Sequence, residues 1–308
     1  AYTLSRVSPL DAFSNKKGIH LTRSLTRKVL VSFQVAVSVA VVIIAFNMYR
    51  QMNFIKTKNL GFDTGNVVLL TAQDTASLHN IQKIEKSIEK SPYVVSVGRG
   101  VAPAGSQTLR GVFGFEQGTE FPKQAVDFLI VGEGYTSTMG IDIVEGRGFH
   151  KADLADTANH YVLVNQTLVN TLNWGNPVGR EIHLDYDEAG KPLKTARVVG
   201  VTRDFNAASL YNTIEPLVLL LESELSNVMH IRIKPENFYA AIDDIEHRWT
   251  GIAPGAPFQF SFLDRNLNQL YEEEMRQSRL ILYLTSLAIL ISFLGFIGLA
   301  SFTINLRT

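Results

Sequence analysis

Two uncharged apolar runs, one near each end, limit what this chain can be. The first, VLVSFQVAVSVAVVIIAF, covers about 18 residues from Val29 to Phe46. The second, LILYLTSLAILISFLGFIGLASF, covers about 23 residues from Leu280 to Phe302. A helix needs about 20 predominantly apolar residues to cross the hydrocarbon of a bilayer. The first run meets that need narrowly, and a buried helix of a soluble protein is its competing reading. The second crosses with room for tilt.

Charge sets the expected orientation. Arg6, Lys16, Lys17, Arg23, Arg27 and Lys28 precede the first run, opposed only by Asp11. Basic residues favour the cytoplasmic side. The N-terminal segment is therefore expected inside the cell and the central region outside, although Arg50, Lys56 and Lys58 make the outer flank basic too. Neither run contains Asp, Glu, Lys, Arg or His. Ion-coupled pathways usually use such groups within the membrane, so this part of the chain does not read as one.

Small residues recur in both runs: Ser32, Ala36 and Ala40 in the first, and Ala288, Ser292, Gly295 and Gly298 in the second. Small side chains let helices approach closely in lipid, which makes these seven residues candidate packing positions. Spans are rich in such residues anyway, and both readings stand at this point. Gln34 is expected to bond to another helix and Asn47 to sit at the interface. The stretches Asn47 to Leu60 and Asn266 to Arg279 are dominated by strong helix formers and read as helical stalks continuing the spans.

The roughly 230 residues between the runs have the pattern of a soluble α+β domain. Val67 to Leu70 reads as a strand, the stripe Leu78, Ile81, Ile84, Ile88 as a helix closed by Pro92, and Tyr93 to Val97 as a second strand. A similar unit follows later: strand Val228 to Ile233, helical stripe Phe238 to Trp249, strand Phe258 to Leu263. Between them, Gln124 to Val131, Ile141 to Val144 and Tyr161 to Val164 read as strands and Gln166 to Leu172 as a short helix. Arg180 to Leu184 and Thr195 to Val201 flank the turn-rich DYDEAGKP as a hairpin.

Little in this domain suggests chemistry. There is no cysteine, hence no disulfide and no thiolate metal site. The net charge is zero and gives no argument for nucleic acid. Asp185, Asp187 and Gly190 imitate the first half of a calcium loop, but Ala196 stands where its bidentate glutamate belongs; a hairpin turn is the better reading. The seven histidines are scattered without metal-ligand spacing. GRGVAPAGS, from Gly98 to Ser106, lacks the Lys-Ser/Thr of a phosphate-binding loop and reads as a mobile loop. No catalytic residue, cofactor site or metal site is assigned.

Longer words carry more. SRVSPLDAF at 5–13, LVSFQVAVSVAVVIIAFNMYRQMNFIKTKNLGFD at 30–63, VNQTLVNTLNWGNPVGREI at 164–182, VVGVTRDFNAASLYNTIEPLVL at 198–219 and the segment 260–303 follow one another in order. Together they resemble the FtsX-like, MacB-like permeases of ABC transporters, with Gln166 where that family often has Glu. The resemblance extends to the long duplicated permeases of Bacteroidota, of which this chain is similar to the second module. It implies a cytoplasmic segment at 1–28, a transmembrane helix at 29–49 and a stalk at 50–66. A porter-like membrane-proximal part is implied at 67–133 and 226–264, with a sabre-like distal part at 134–225. A second stalk at 265–279, a transmembrane helix at 280–303 and a cytoplasmic end at 304–308 complete the scheme. The start at Ala1 and the end at Thr308, directly after an apolar run, read as a piece cut from a longer protein.

The resemblance also implies an inner-membrane permease, itself not an enzyme, that transmits ATP-driven motion to the periplasm for export or for activation of a partner. It implies a cytoplasmic ABC ATPase, a second permease module or subunit, a periplasmic adaptor and membrane lipid as partners. A two-span sensory receptor with an extracytoplasmic ligand domain is the rival. The orientation is directly testable, because the chain has no native cysteine. A cysteine placed at Ala189 should react with an impermeant thiol reagent once the outer membrane is permeabilised; labelling only after lysis of the inner membrane would overturn the orientation.

Overall fold

In the computed structural model, residues 16–156, 159–187, 190–208, 213–222, 225–270 and 272–305 are described. The segment 5–13 and Ala189, both used above, lie outside them. The chain divides into two compact units. One comprises Ala1–Lys58 with Glu272–Thr308, and the other Asn59–Tyr271.

The first unit is built from two long helices, α1 (Lys16–Thr57) and α8 (Glu272–Asn305). Within them, Ser32–Gln51 and Met275–Gly298 are long and apolar enough to cross a membrane. The first stalk helix ends at Thr57, earlier than the sequence pattern suggests, because Lys58 to Asp63 turn away through Asn59 and Gly61. The second stalk is described as two helices, α7 (Leu263–Leu270) and α8, on either side of Tyr271.

The second unit begins with a split pair of strand–helix–strand motifs. β1 (Val67–Thr71), α2 (Thr75–Ile88) and β2 (Val94–Gly100) form one. β10 (Val228–Ile233), α6 (Phe238–Ile252) and β11 (Phe260–Phe262) form the other. They interleave in the order β11-β1-β10-β2, all antiparallel. This is the ferredoxin-like arrangement, in which each motif leaves a gap filled by a strand of the other. The period of two explains the layering. Val68, Leu70, Met229, Ile231 and Val97 face α2 and α6, where Ile81, Ile84, Ile88, Ala241, Ile245 and Trp249 meet them. Asp74 caps α2, accepting from the Ala76 and Ser77 amides at 2.9 and 3.0 Å.

Residues between β2 and β10 form a second layer. β3 (Leu109–Phe115), β4 (Lys123–Val131), β6 (His160–Asn165), β7 (Glu181–Tyr186), β8 (Pro192–Thr202) and β9 (Leu217–Leu221) pair in a closed circuit. The circuit runs β4-β3-β7-β8-β6-β9 and returns to β4 through a parallel pairing. Side chains from all six strands, including Phe113, Val126, Val164, Ile182, Val198 and Val218, share one interior cluster. Leu168 and Leu172, from and just after α5 (Gln166–Thr171), also pack there with Trp174. β5 (Ile143–Gly146) adds to the outside of β8. A short helix α3 (Tyr135–Met139) packs on β2 and β10, and α4 (Lys151–Ala155) follows β5.

Among the described residues the one ladder pair between the ring and the four-stranded sheet is Gly100 with Val131, and a shared buried cluster packs Val67, Leu69 and Val228 of the sheet against Val131, Leu163, Leu217 and Leu219 of the ring. β3 and β4, which fall within the expected 67–133 part, pair with ring strands. β7 and β8 pair antiparallel as the expected hairpin, and the Lys191 amide donates to Asp187 Oδ1 at 2.7 Å.

Trp249 is the largest side chain buried completely among the described residues of the α2–α6 layer. Trp249→Ala should lower the unfolding free energy by about 3–5 kcal/mol, read by urea unfolding of solubilised protein with Trp174 as the remaining fluorophore. A loss below about 1 kcal/mol would show that this layer is not tightly packed.

Candidate functional site

The most elaborated polar construction in the domain lies where the chain enters it from α1. Asn59 Oδ1 accepts the Gly61 amide at 2.9 Å and bends the chain. Gly61 has φ +81°, and a Cβ there would stand 2.7 Å from Phe205 Cα and 2.8 Å from the Asp204 carbonyl oxygen. Only glycine meets both conditions. The Leu60 carbonyl accepts the Asn206 amide at 2.8 Å and the Asn206 side-chain amide at 3.2 Å. Phe62 then buries its ring edge-on against Phe205, with centroids 6.4 Å apart.

Arg232 fixes the next residues. Its Nη1 meets Asp63 Oδ2 at 2.7 Å and the Gly65 carbonyl at 2.9 Å. Its Nη2 donates to the Asp63 carbonyl at 3.0 Å and the Thr138 carbonyl at 2.7 Å, and its Nε also reaches Thr138, at 2.9 Å. The Asp63 amide donates to the Met139 carbonyl at 2.8 Å. One guanidinium thus ties the entering segment to β10 and α3, using the fixed fork of donors that lysine lacks.

The returning segment meets the same place. Leu263 is fully buried, and Leu267 packs on the cluster that holds Leu60, Phe62 and Phe205. Of the glycine-rich word at 98–106, Gly98 to Gly100 belong to β2, and the loop Val101–Ser106 lies against both segments. Its Ala104 amide donates to Nε2 of buried His230 at 3.2 Å. That bond needs a neutral ring, and burial pushes the His230 pKa down to about 4.

A second network joins this place to the ring. Asn165 is fully buried; its Oδ1 accepts the Leu168 and Leu217 amides at 3.0 and 2.9 Å, and its Nδ2 donates to the Glu215 carbonyl at 2.9 Å. Asp204 accepts the Thr167 amide and hydroxyl at 2.9 and 2.8 Å. The sequence words at 60–63, 164–167 and 203–206 thus form one hydrogen-bonded assembly.

Other arrangements are structural. Arg147 and Asp153 form a two-point pair at 2.6 and 2.7 Å, and its hydrogen bonds hold the Asp153 carboxyl below the usual range. Arg99 pairs with Glu85 at 2.9 Å, and burial outweighs that cation in raising the Glu85 carboxyl. Among the described residues no group of three or more His, Cys, Asp or Glu could hold a metal. Two pockets, of about 30 and 20 Å³, each have room for little more than a water.

The seven packing candidates separate by position. Ala288, Ser292 and Gly295 are half-buried on α8, whereas Gly298 is exposed. Ser32, Ala36 and Ala40 are exposed on α1, and the residues facing α8 are instead Gln34 and Ser38. Ser38 Oγ lies 2.6 Å from Ser292 Oγ and donates to the Gln34 carbonyl at 2.9 Å, so Ser292 supplies the shared proton. A Cβ on Gly295 would lie 3.5 Å from Gln34 Oε1.

An apolar helix leading into an α+β domain whose two ends are joined at one polar and apolar junction is the arrangement of a domain carried on membrane-spanning helices. The chain matches the MacB-like periplasmic core domain over residues 30–246 and belongs to that family. It carries the periplasmic domain of an ABC-type, inner-membrane permease, a transporter subunit of a class that works with cytoplasmic ABC ATPases. Solved structures with a similar fold include the periplasmic region of MacB from Actinobacillus actinomycetemcomitans. It is 14% identical, with a TM-score of 0.47 over 70% of this chain and 97% of that one. Another is the extracellular domain of the noncanonic ABC-type transporter YknZ from Gram-positive bacteria. It is 10% identical, with a TM-score of 0.41 over 64% of this chain and 98% of that one. No curated protein sequence matches the chain.

His230 gives the junction a pH signature. Its folded pKa of about 4 lies below the unfolded value of about 6.5, so the unfolded chain binds the extra proton between them. Stability from this residue is complete above about pH 6.5 and is lost as the pH falls toward 4. Burial raises the Glu85 and Glu133 carboxyls, which act in the opposite direction. The measurement is therefore a difference: wild type should lose more stability than His230→Gln between pH 6.5 and 4. Equal slopes would refute a buried neutral His230.

Proposed function

We propose that this chain is a mechanical coupler of its transporter. ATP binding and hydrolysis in a cytoplasmic ABC ATPase move the membrane helices, and the periplasmic domain receives that motion and acts on a substrate or partner. The observation that carries this reading is the anchoring of both membrane-connected segments in one cluster, through Leu60 and Phe62 on one side and Leu263 and Leu267 on the other. A simple tether needs no such anchoring, since a flexible linker holds a domain near a membrane equally well. The family favours this reading over a sensory receptor, because its members are permease domains.

The reading calls for a second permease module or subunit beside this one, and for a periplasmic adaptor where export continues outward. Its expected orientation keeps the domain periplasmic, in a multi-pass inner-membrane protein with lipid around both helices. The polar contact between Ser38 and Ser292 suits a helix pair that moves together, because a hydroxyl pair in lipid fixes register as well as proximity.

The test is a Gly-Gly insertion after Glu273, in the intact transporter with its ATPase. Cysteines at Lys86 on α2 and at Lys191 beside the β7–β8 turn carry spin labels, and their separation is followed through the ATP cycle. Coupling requires the ATP-driven change in separation to disappear while ATP hydrolysis continues. A change that survives the insertion, at normal protein levels, would make the stalk a tether.

A further inference from the structure

Resting on the coupling reading, the geometry points to the loop Val101–Ser106 as the element that passes motion from the membrane-connected segments to the ring, with Gly105 as its contact point. The loop joins β2 of the four-stranded sheet to β3 of the ring, so any displacement of it is felt at the start of β3. Its position is defined at three places. The Val101 amide donates to the Ile130 carbonyl of β4 at 3.2 Å. The Ala104 amide donates to His230 of β10 at 3.2 Å. Between Phe62 and Leu267 sits Gly105, which is buried.

That last position is unusually confined. A Cβ on Gly105 would lie 3.0 Å from Leu267 Cδ2 and 3.0 Å from Phe62 Cζ. Phe62 belongs to the segment entering from α1 and Leu267 to α7, which leads back to α8. One backbone atom of one loop is thus in register with both membrane-connected segments. The absence of a side chain lets the two move against the loop in close contact. A methyl group there separates Phe62 from Leu267 by a few tenths of an ångström, and packed interiors pass such strain on. Gly118 supplies a matched control. It has φ +68°, against +73° at Gly105, and a Cβ there meets nothing within 4 Å. Alanine at either site therefore imposes the same left-handed strain, and only at Gly105 does it also act as a wedge.

The experiment uses the intact transporter with its ATPase and the Lys86 and Lys191 label pair. Gly105→Ala should reduce the population showing the ATP-driven change in separation by about tenfold, within the range of couplings carried between sites. ATP hydrolysis should continue and Gly118→Ala should behave as wild type. Adding Leu267→Ala to Gly105→Ala should restore part of the change. If Gly105→Ala does not accumulate, Leu267→Phe tightens the same contact from α7 without backbone strain. A Gly105→Ala or Leu267→Phe response equal to that of Gly118→Ala overturns the inference. If the Gly-Gly insertion still abolishes the change, the coupling reading stands without this loop. If wild type shows no ATP-driven change, or the change survives the insertion, the coupling reading itself falls.

Discussion

The insertion of β10 between β1 and β2 is the constraint on which the rest of this domain depends. β1 and β10 are separated by more than half of the chain, yet they exchange a continuous ladder from Val67–Arg232 to Thr71–Val228. Neither strand–helix–strand motif can close its own sheet, because its strands leave a gap one strand wide. Closing both gaps brings the segment before β1 and the segment after β11 to the same sheet. It also carries Arg232 to the start of β1, where it takes hold of Asp63 and Gly65. The joint anchoring of the two membrane-connected segments thus follows from strand order.

The same constraint explains why certain sequence words belong together. LGFD, VNQT and RDFN are far apart in the chain; the last two bury the polar side chains of Asn165 and Asn206, and the first supplies the Leu60 carbonyl that Asn206 meets. A buried amide or carboxylate without partners costs free energy, so each word is stable only in the presence of the others. Leu60 offers a carbonyl to Asn206, Asp204 accepts two hydrogen bonds from Thr167, and Asn165 satisfies backbone groups on both sides of the β9 strand start. The words are short because the contacts are made mostly to backbone atoms, which leaves the flanking residues free to vary.

Legibility in the sequence followed how much each element owes to its own side chains. β1, α2, β10 and α6 carry full apolar stripes and were readable within a few residues. β3 was not: LRGVFGF holds two glycines, and its place is set by pairing with β4 and β7. β9, with the apolar run LVLLL, is equally ambiguous in isolation; its parallel partner β4 and antiparallel partner β6 decide it. Ring closure is a property of register among distant strands, and no local pattern encodes it. The glycine-rich loop at 98–106 looked mobile because glycine raises chain entropy. Here the glycines serve close approach, with Gly98 against the backbone of Gly134 and Tyr135 and Gly105 between two side chains. At the helix pair, the small-residue rule pointed to Ser32, Ala36 and Ala40, while a hydroxyl–hydroxyl contact fixed the face that meets α8.

A junction that conveys force has a physical requirement beyond stability: displacement of one segment must not be absorbed by side-chain rotation. Long side chains paired only at their tips rotate easily and lose force, as most surface ion pairs do. The contacts at 60–65 are of another kind. Leu60, Asp63, Gly65 and Thr138 take part through backbone atoms, and the donors that reach them, Asn206 and Arg232, are short or planar with several bonds each. A guanidinium holding three separate carbonyls and a carboxylate oxygen cannot turn about one bond without breaking others. Phe62 and Leu267 meeting over a bare glycine extend the same principle to apolar contact, because the surface opposite them is backbone with no freedom to yield.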